Sequence, residues 1–223
     1  IASVNGDEIT LTSPVTNTHK EYLDYQVDSR NIEVGTILVN LTKKIVIESN
    51  DNTFGCVLLN PGYTAPSTIQ GNLHIEDVEF KNCGQSANNL YAVSFWGNGN
   101  PADFSVLKRV SLNNVLGKGV GVVMSKKVRV QESSIYSFKD SGVEIIAPST
   151  DVDIDGNNII KVTTIKVPNA NSTLEFNYGI LYTDIENTLE DNQSWIRNNR
   201  ISSIGTLGIG LMVPGDKCTN NFT

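Results

Sequence analysis

Three aspartates alternate with apolar residues and precede a glycine in the stretch "DVDIDG" at 151–156. This order matches the start of an EF-hand calcium loop, but the twelfth position, which should supply a bidentate glutamate, is Val162. In a strand the three carboxylates would share one face in steps of about 7 Å, too far apart to chelate one ion without help from a neighbouring strand. We therefore expect a solvated outer face and no cofactor. An exterior Ca²⁺ site on Asp151, Asp153 and Asp155 is the competing hypothesis.

Side chains suited to catalysis are sparse. The two histidines, His19 and His74, lie in separate segments, so no Ser/His/Asp or Cys/His nucleophile arrangement is indicated. Carboxylates at glycosidase spacing could face each other across neighbouring strands, and the candidates are Glu76, Glu79 and Glu132. Four aromatic residues could form a sugar-stacking platform, although such residues more often fill a core: Tyr91, Trp96, Tyr178 and Trp195. We predict no catalytic residue.

Length and composition exclude several classes of protein. The 223 residues suffice for one all-β domain or two small ones. Apolar residues make up 39% and charged residues 18%, which argues against disorder. A formal net charge of −7 without a basic run argues against a nucleic-acid partner or an anionic membrane surface. No apolar stretch reaches the roughly 20 residues of a membrane-spanning helix, so we expect no membrane insertion by this segment.

Four Asn-x-Ser/Thr sequons are the predicted glycosylation sites: Asn40, Asn171, Asn192 and Asn221. The many Asn, Ser and Thr residues predict about as many sequons by chance. The sequons therefore permit an extracellular location without demonstrating it.

Two sets of apolar residues recur along the second half of the chain. The first set is Leu107, Val130, Ile154 and Ile196, and the second, five residues later in each case, is Leu112, Ile135, Ile159 and Ile201. Successive members are 23, 24 and 42 residues apart, and the last spacing implies an inserted loop. A glycine precedes the apolar run that follows each pair: Gly119, Gly142, Gly179 and Gly208.

This recurrence predicts an all-β fold, a right-handed parallel β-helix whose coils stack about 4.8 Å apart. An antiparallel sandwich is the alternative, but it gives no reason for a unit of about 24 residues. Asn157 and Asn199 recur at one turn of their coils, and Ser133 takes that place in the coil before. We expect left-handed backbone geometry and stacked amide hydrogen bonds there.

The first part of the chain has a different pattern. Short β-branched strands around an Asn-Gly turn predict leading coils or a capping sheet over residues 1–70. Residues 71–215 would form the coils, and residues 216–223 a C-terminal junction. We expect the chain to be a piece of a longer polypeptide.

The three cysteines suggest one internal disulfide. Cys56 and Cys83 are 27 residues apart, about one coil plus a small loop, so they could stack in neighbouring coils. Two buried free thiols are the alternative. Cys218 is then left for a disulfide outside this segment, or remains a surface thiol.

Three stretches carry a resemblance to a known family. "EVGTILVNLTKKIVIES" at 33–49, "LHIEDVEFKNCGQ" at 73–85 and "LYAVSFWGN" at 90–98 resemble the β-helix region of the fibrocystin family and of the related cell-surface hyaluronidases. The resemblance covers roughly residues 1–100 and implies a large extracellular, cell-surface or ciliary protein. Enzymatic members carry a histidine-rich strand after the Asn-Cys-Gly turn, whereas the strand here, 92–96, has no histidine.

We therefore expect a non-catalytic structural or adhesive module of a larger surface or fibre-forming glycoprotein. Its expected partners are further domains of the same polypeptide, neighbouring subunits and glycans. A hyaluronidase-like polysaccharide-processing enzyme and a carbohydrate-binding module are the alternatives.

Overall fold

The computed structural model describes residues 3–5, 8–10, 12, 23–27, 30–34, 41, 43–51, 53–62, 70–85, 87–88, 90–99, 101–161, 177–184, 194–202, 204 and 207–212. This part of the chain is all-β, as predicted, and contains no helix, hence none that could span a membrane. The strands in chain order are β1 Ser3–Asn5, β2 Glu8–Thr10, β3 Leu23–Val27, β4 Arg30–Val34, β5 Ile45–Glu48, β6 Leu58–Pro61, β7 His74–Glu76, β8 Val78–Lys81, β9 Tyr91–Trp96, β10 Ser105–Lys108, β11 Ser111–Asn113, β12 Lys118–Val123, β13 Lys126–Gln131, β14 Ser134–Tyr136, β15 Ser141–Ile146, β16 Thr150–Asp155, β17 Asn158–Ile160, β18 Tyr178–Thr183, β19 Trp195–Arg197, β20 Arg200–Ser202 and β21 Leu207–Met212.

Strands β5 to β21 form three parallel sheets. Sheet I stacks β7, β10, β13, β16 and β19; sheet II stacks β5, β8, β11, β14, β17 and β20; sheet III stacks β6, β9, β12, β15, β18 and β21. The chain visits the three sheets in turn, so coil 1 is β5–β6 and coils 2 to 6 each contribute one strand to every sheet. The arrangement is consistent with a parallel β-helix-like solenoid.

The register between coils aligns the predicted apolar columns. In sheet I, Ile75, Leu107, Val130, Ile154 and Ile196 pair in succession. In sheet II, the succession is Ile47, Phe80, Leu112, Ile135, Ile159 and Ile201. Both predicted sets are therefore confirmed as continuous stacks, and their middle members are fully buried. A third column in sheet III completes the core: Leu58, Val93, Val120, Val143, Ile180 and Ile209.

The recurring glycines stack where sheet II and sheet III converge. A Cβ atom on Gly142 would lie 2.6 Å from Cγ2 of Ile159 and 2.7 Å from the carbonyl oxygen of Gly179. Gly179 faces Ile201 and the carbonyl of Gly208 at similarly short distances. Glycine is therefore required by the close approach of the next coil, since any side chain would overlap atoms of the core.

Polar side chains form a ladder at the turn from sheet I to sheet II. The backbone N–H of Ser133 donates to Oδ1 of Asn157 at 3.0 Å, and the backbone N–H of Asn157 donates to Oδ1 of Asn199 at 3.0 Å. These bonds satisfy backbone groups that the turn leaves outside the sheets. The predicted stacked amide bonds are present.

The predicted left-handed geometry is displaced by one residue. Positive φ belongs to Gly156 at 67° and Asn198 at 54°, the residues before Asn157 and Asn199. Glu132, which precedes Ser133, has a φ of 50°. The left-handed residue lies at the turn, and the side chain of the residue after it bonds the neighbouring coil. The prediction assigned both tasks to one residue.

The chain divides into two compact units, Ile1–Val39 and Asn40–Thr223. In the first, β1 pairs antiparallel with β2, and β3 pairs antiparallel with β4. The second unit contains the coils, including β5 and β6 from the region predicted to lead or cap the stack. A capping role for the first unit stays a prediction.

The predicted disulfide between Cys56 and Cys83 is present. The two residues occupy the turn from sheet II to sheet III in coils 1 and 2, where they form an isolated parallel bridge with Cα atoms 4.3 Å apart. Cys83 is buried against the core. The bond therefore fastens the first coil to the second.

Replacing Ile154 with Asp should unfold the coil stack, because an unpaired carboxylate in a fully buried column costs several kcal/mol. Ile154→Ala should cost about 2–5 kcal/mol by leaving a cavity. Thermal denaturation followed by circular dichroism measures both. Met124→Ala, at an exposed side chain, is the control and should cost less than about 0.5 kcal/mol. A native melting curve for Ile154→Asp would contradict the column.

Replacing both Cys56 and Cys83 with Ser should lower the free energy of unfolding by about 3 kcal/mol, the loss expected on opening a loop of this length. Guanidinium denaturation with and without reductant measures the effect. The native chain and Cys218→Ser should both respond to reductant, while the double variant should not. Coincident curves for the native chain under both conditions would rule out a stabilising bond.

Candidate functional site

Two aspartates of β16, Asp153 and Asp155, form ion pairs with an arginine of the next coil. Nη2 of Arg197 is 3.3 Å from Oδ2 of Asp153, and its Nε is 3.3 Å from Oδ2 of Asp155. Gln131 Nε2 also donates to Oδ2 of Asp153 at 3.2 Å. Asp151 has a φ of 56°, so the regular alternation of strand side chains does not extend to it. Two of the three predicted calcium ligands thus already share one guanidinium as their partner.

Metal-binding geometry is not found elsewhere in the ranges that the structure describes. Within them, no group of three or more His, Cys, Asp or Glu side chains is placed to hold an ion. The outer face of sheet I is instead a surface of cross-coil ion pairs.

A second ion-pair group joins coils 2 and 3 on that surface. Arg109 donates through Nη2 to Glu76 at 2.7 Å and to Asp77 at 2.8 Å. Hydrogen bonds from His74 and from Arg109 hold the pKa of Glu76 below its ordinary value, and the bond from Arg109 does the same for the pKa of Asp77. These are exposed groups, for which solvent screening leaves little net stabilisation.

The glutamates proposed as glycosidase candidates each have a different structural partner. Glu76 bonds Arg109, Glu132 lies 3.7 Å from Lys108, and Glu79 is buried and accepts from Asn113 Nδ2 at 3.2 Å. Separate pairing of this kind gives no support to an acid–base pair among the three glutamates.

The four aromatic residues do not form one platform. Trp96 is exposed on sheet III in coil 2, and Trp195 is exposed on sheet I in coil 6. Tyr91 and Tyr178 are buried, each with its ring lying over a glycine of the next coil, Gly121 in one case and Gly210 in the other. A sugar-stacking surface built from all four is therefore excluded.

A buried polar cluster crosses three coils on the outer face of sheet III. The hydroxyl of Tyr91 donates to Oε2 of Glu144 at 2.6 Å, and Nζ of Lys118 donates to the same oxygen at 2.6 Å. Lys118 also lies 3.4 Å from Oδ2 of Asp140 and 5.5 Å from the centre of the Tyr91 ring. Burial, together with the bond to the Glu144 carboxylate, raises the pKa of Tyr91 well above its ordinary value.

This cluster links three successive coils. One carboxylate oxygen receives two hydrogen bonds, and the three side chains belong to β9, β12 and β15, so the bonds tie successive coils together. Sequence reasoning missed it. The sequence did contain an indication of this cluster. The apolar runs of β12 and β15, which are neighbouring strands of coils 3 and 4, each include one charged residue, Lys118 and Glu144.

The C-terminal end of the stack is an open apolar surface. Ile180 in the sheet III column is fully buried, whereas Ile209, the next member of the same column, is 42% exposed. Leu207, Leu211 and Met212 of β21 are exposed as well. In the described region β19, β20 and β21 are each the outermost strand of their sheet, so β21 presents an unpaired, uncharged edge.

The other edge of sheet III is blocked. Gly62, directly after β6, donates its N–H to the carbonyl of Trp96 in β9. Backbone N–H groups of successive residues point to opposite sides of a strand. The nitrogen of Pro61 therefore faces the outer edge of β6, where it has no hydrogen to donate. Proline on an edge strand prevents further pairing. The two ends of sheet III therefore differ, and the C-terminal end is the candidate functional site.

The predicted glycosylation sites and the third cysteine lie outside the described residues: Asn40, Asn171, Asn192, Asn221 and Cys218. Their assignments stay predictions.

The sequence was compared with protein-family models, with curated proteins and with solved structures, and no match was found. The resemblance to the fibrocystin family stays a prediction. The class of protein is defined here by its architecture, a stack of three parallel sheets with a disulfide-fastened first coil.

Replacing Glu144 with Ala should cost about 3–5 kcal/mol, because the buried Lys118 amine and the Tyr91 hydroxyl would both lose their 2.6 Å partner, and only the 3.4 Å contact of Lys118 with Asp140 would remain. The double variant Lys118→Met, Glu144→Leu should recover most of this loss, since it removes both charges and keeps the volume. Urea denaturation gives the three values. If the double variant is as unstable as Glu144→Ala, the pair is not the source of the effect.

Proposed function

We propose that this chain is a non-catalytic structural module of a longer extracellular solenoid, a right-handed parallel β-helix whose C-terminal end receives a further coil. The observation that carries the proposal is the break in burial between Ile180 and Ile209. A column that is buried through four coils and then exposed offers an apolar surface on which a further layer can pack.

The chemistry of this end identifies the kind of partner. β21 offers backbone hydrogen-bonding groups along six residues without a charge or a proline. A parallel strand with apolar residues at alternate positions would continue both the hydrogen bonding and the core column. The partner is therefore another β-coil, supplied by the same polypeptide or by a neighbouring subunit.

Right-handed winding is the expected sense, because connections between parallel strands of one sheet are right-handed in nearly all proteins. The extracellular or cell-surface location rests on the Cys56–Cys83 disulfide, since such bonds persist in oxidising compartments. The ciliary surface implied by the fibrocystin resemblance, glycosylation at the four sequons and an external disulfide at Cys218 belong to the same proposal.

Glycan processing and glycan binding have less support. The proposed carboxylates are individually paired, and the exposed tryptophans lie on different sheets.

Without a further coil bound to it, the chain should self-associate through β21, whose edge can pair with the β21 edge of a second copy. Sedimentation velocity of the Cys218→Ser chain should show a sedimentation coefficient that rises with concentration. Adding Ile209→Lys should abolish the rise, because a charge in the interface column cannot be desolvated without a partner.

Trp96→Lys is the matched control, since Trp96 is 45% exposed, against 42% for Ile209, but lies in coil 2. It should leave self-association unchanged. Leu207→Lys replaces Ile209→Lys if circular dichroism shows that the latter is unfolded. A chain that sediments as a monomer at every concentration, or an equal effect of Trp96→Lys, would overturn the proposal.

A further inference from the structure

The connection between sheet II and sheet III differs sharply among the coils. In coils 3 and 4 it is four residues long, 114–117 and 137–140, and it buries an apolar side chain, Val115 or Phe138. In coil 5 it runs from residue 161 to residue 177. The core and the stacking are nevertheless continuous through coil 5, so the two ends of this long connection must be held at the spacing that four residues set elsewhere.

Lys161 and Asn177 meet at the base of that connection. Nζ of Lys161 donates to Oδ1 of Asn177 and to the carbonyl oxygen of Lys139 in the coil before. Lys161 is 5% exposed and Asn177 is 9% exposed. The amine also lies 5.6 Å from the centre of the Phe138 ring, which covers it from the core side.

We propose that Lys161 and Asn177 form an intramolecular isopeptide bond that closes the base of the inserted segment. The geometry holds an amine against a side-chain amide in a site from which water is excluded, so the two groups react as one molecule and at high effective concentration. The hydrogen bond from the ammonium to Oδ1 polarises the amide carbonyl, and it does so strongly because the surroundings are of low dielectric.

The reaction needs no oxidant and no cofactor. Nζ of Lys161 first transfers one proton to Oδ1 of Asn177, to which it is hydrogen-bonded, and its freed lone pair then attacks Cγ, so that the bond from Cγ to Nδ2 breaks. Two protons of the ammonium end on Nδ2, which leaves as an ammonium ion, so atoms and charge balance. The product is a neutral secondary amide, whose oxygen and N–H can both remain hydrogen-bonded in the buried site.

The isopeptide bond would be a second covalent cross-link in the coil stack, in addition to the disulfide that fastens coil 1 to coil 2. It would join residue 161 directly to residue 177 and so restore a short covalent path between sheets II and III in coil 5. A cross-link of this kind stabilises by limiting the unfolded chain.

Intact mass spectrometry of the reduced chain tests the bond. The native protein should be lighter than its sequence by one ammonia, and a peptide map should contain the peptide of Lys161 joined to that of Asn177. Lys161→Arg and Asn177→Ala should each have the full sequence mass and a lower Tm. Asn177→Asp should restore the bond with the loss of one water instead.

Lys118→Arg is the matched control, because Lys118 is also a buried lysine in contact with a side-chain oxygen, and it should retain the ammonia loss. A full mass for the native chain, with the Lys161 amine open to acylation after denaturation, would overturn the proposal. So would an ammonia loss mapped to Asn5 or Asn98, each of which precedes a glycine and can cyclise to a succinimide.

Discussion

Every coil of this chain repeats the register of the coil before it, and the rest of the structure depends on that repetition. A parallel strand shifted by one residue would turn its apolar side chains outward. Ile154 pairs with Val130 below and Ile196 above, so its position in the core is determined by both neighbours. The same register brings Gly142 over Gly179 and allows sheets II and III to converge.

The turns preserve this register with polar side chains. Asn157 bonds the backbone of the coil before it through its side-chain amide, donating to the carbonyl of Val130 and accepting from the N–H of Ser133. Such bonds cannot be made by a coil on its own, and each is worth more in the interior than on the surface because the alternative is an unsatisfied buried group. Stability is therefore shared between neighbours, as in other repeat proteins, and a terminal coil has half of its partners.

The repeated register also determines which charged side chains meet on the exterior of the stack. Outward residues also form columns, so a charge in one coil meets the charge at the same place in the next. Arg197 beside Asp155 and Arg109 beside Asp77 are opposite charges brought together in this way, so these carboxylates already have a cationic partner. Lys118 and Glu144 make the same kind of cross-coil contact in a buried position.

The sequence by itself determined the coil. The positions of Leu107, Val130, Ile154 and Ile196 could be read as one column because the inward-facing role imposes the same residue type at a regular spacing. The Cys56–Cys83 pairing followed from the length of a coil. Only the tertiary structure decided which polar side chains meet. The 42-residue alignment of Ile154 with Ile196 places Arg197 opposite Asp155, but it does not show that the guanidinium also reaches Asp153. The tertiary structure also decided that Asn157 follows the left-handed residue, that the aromatic residues occupy different sheets, and that Ile209 is exposed. These outcomes depend on which side chains are neighbours in space, and the pattern of residue types along the chain does not specify those neighbours.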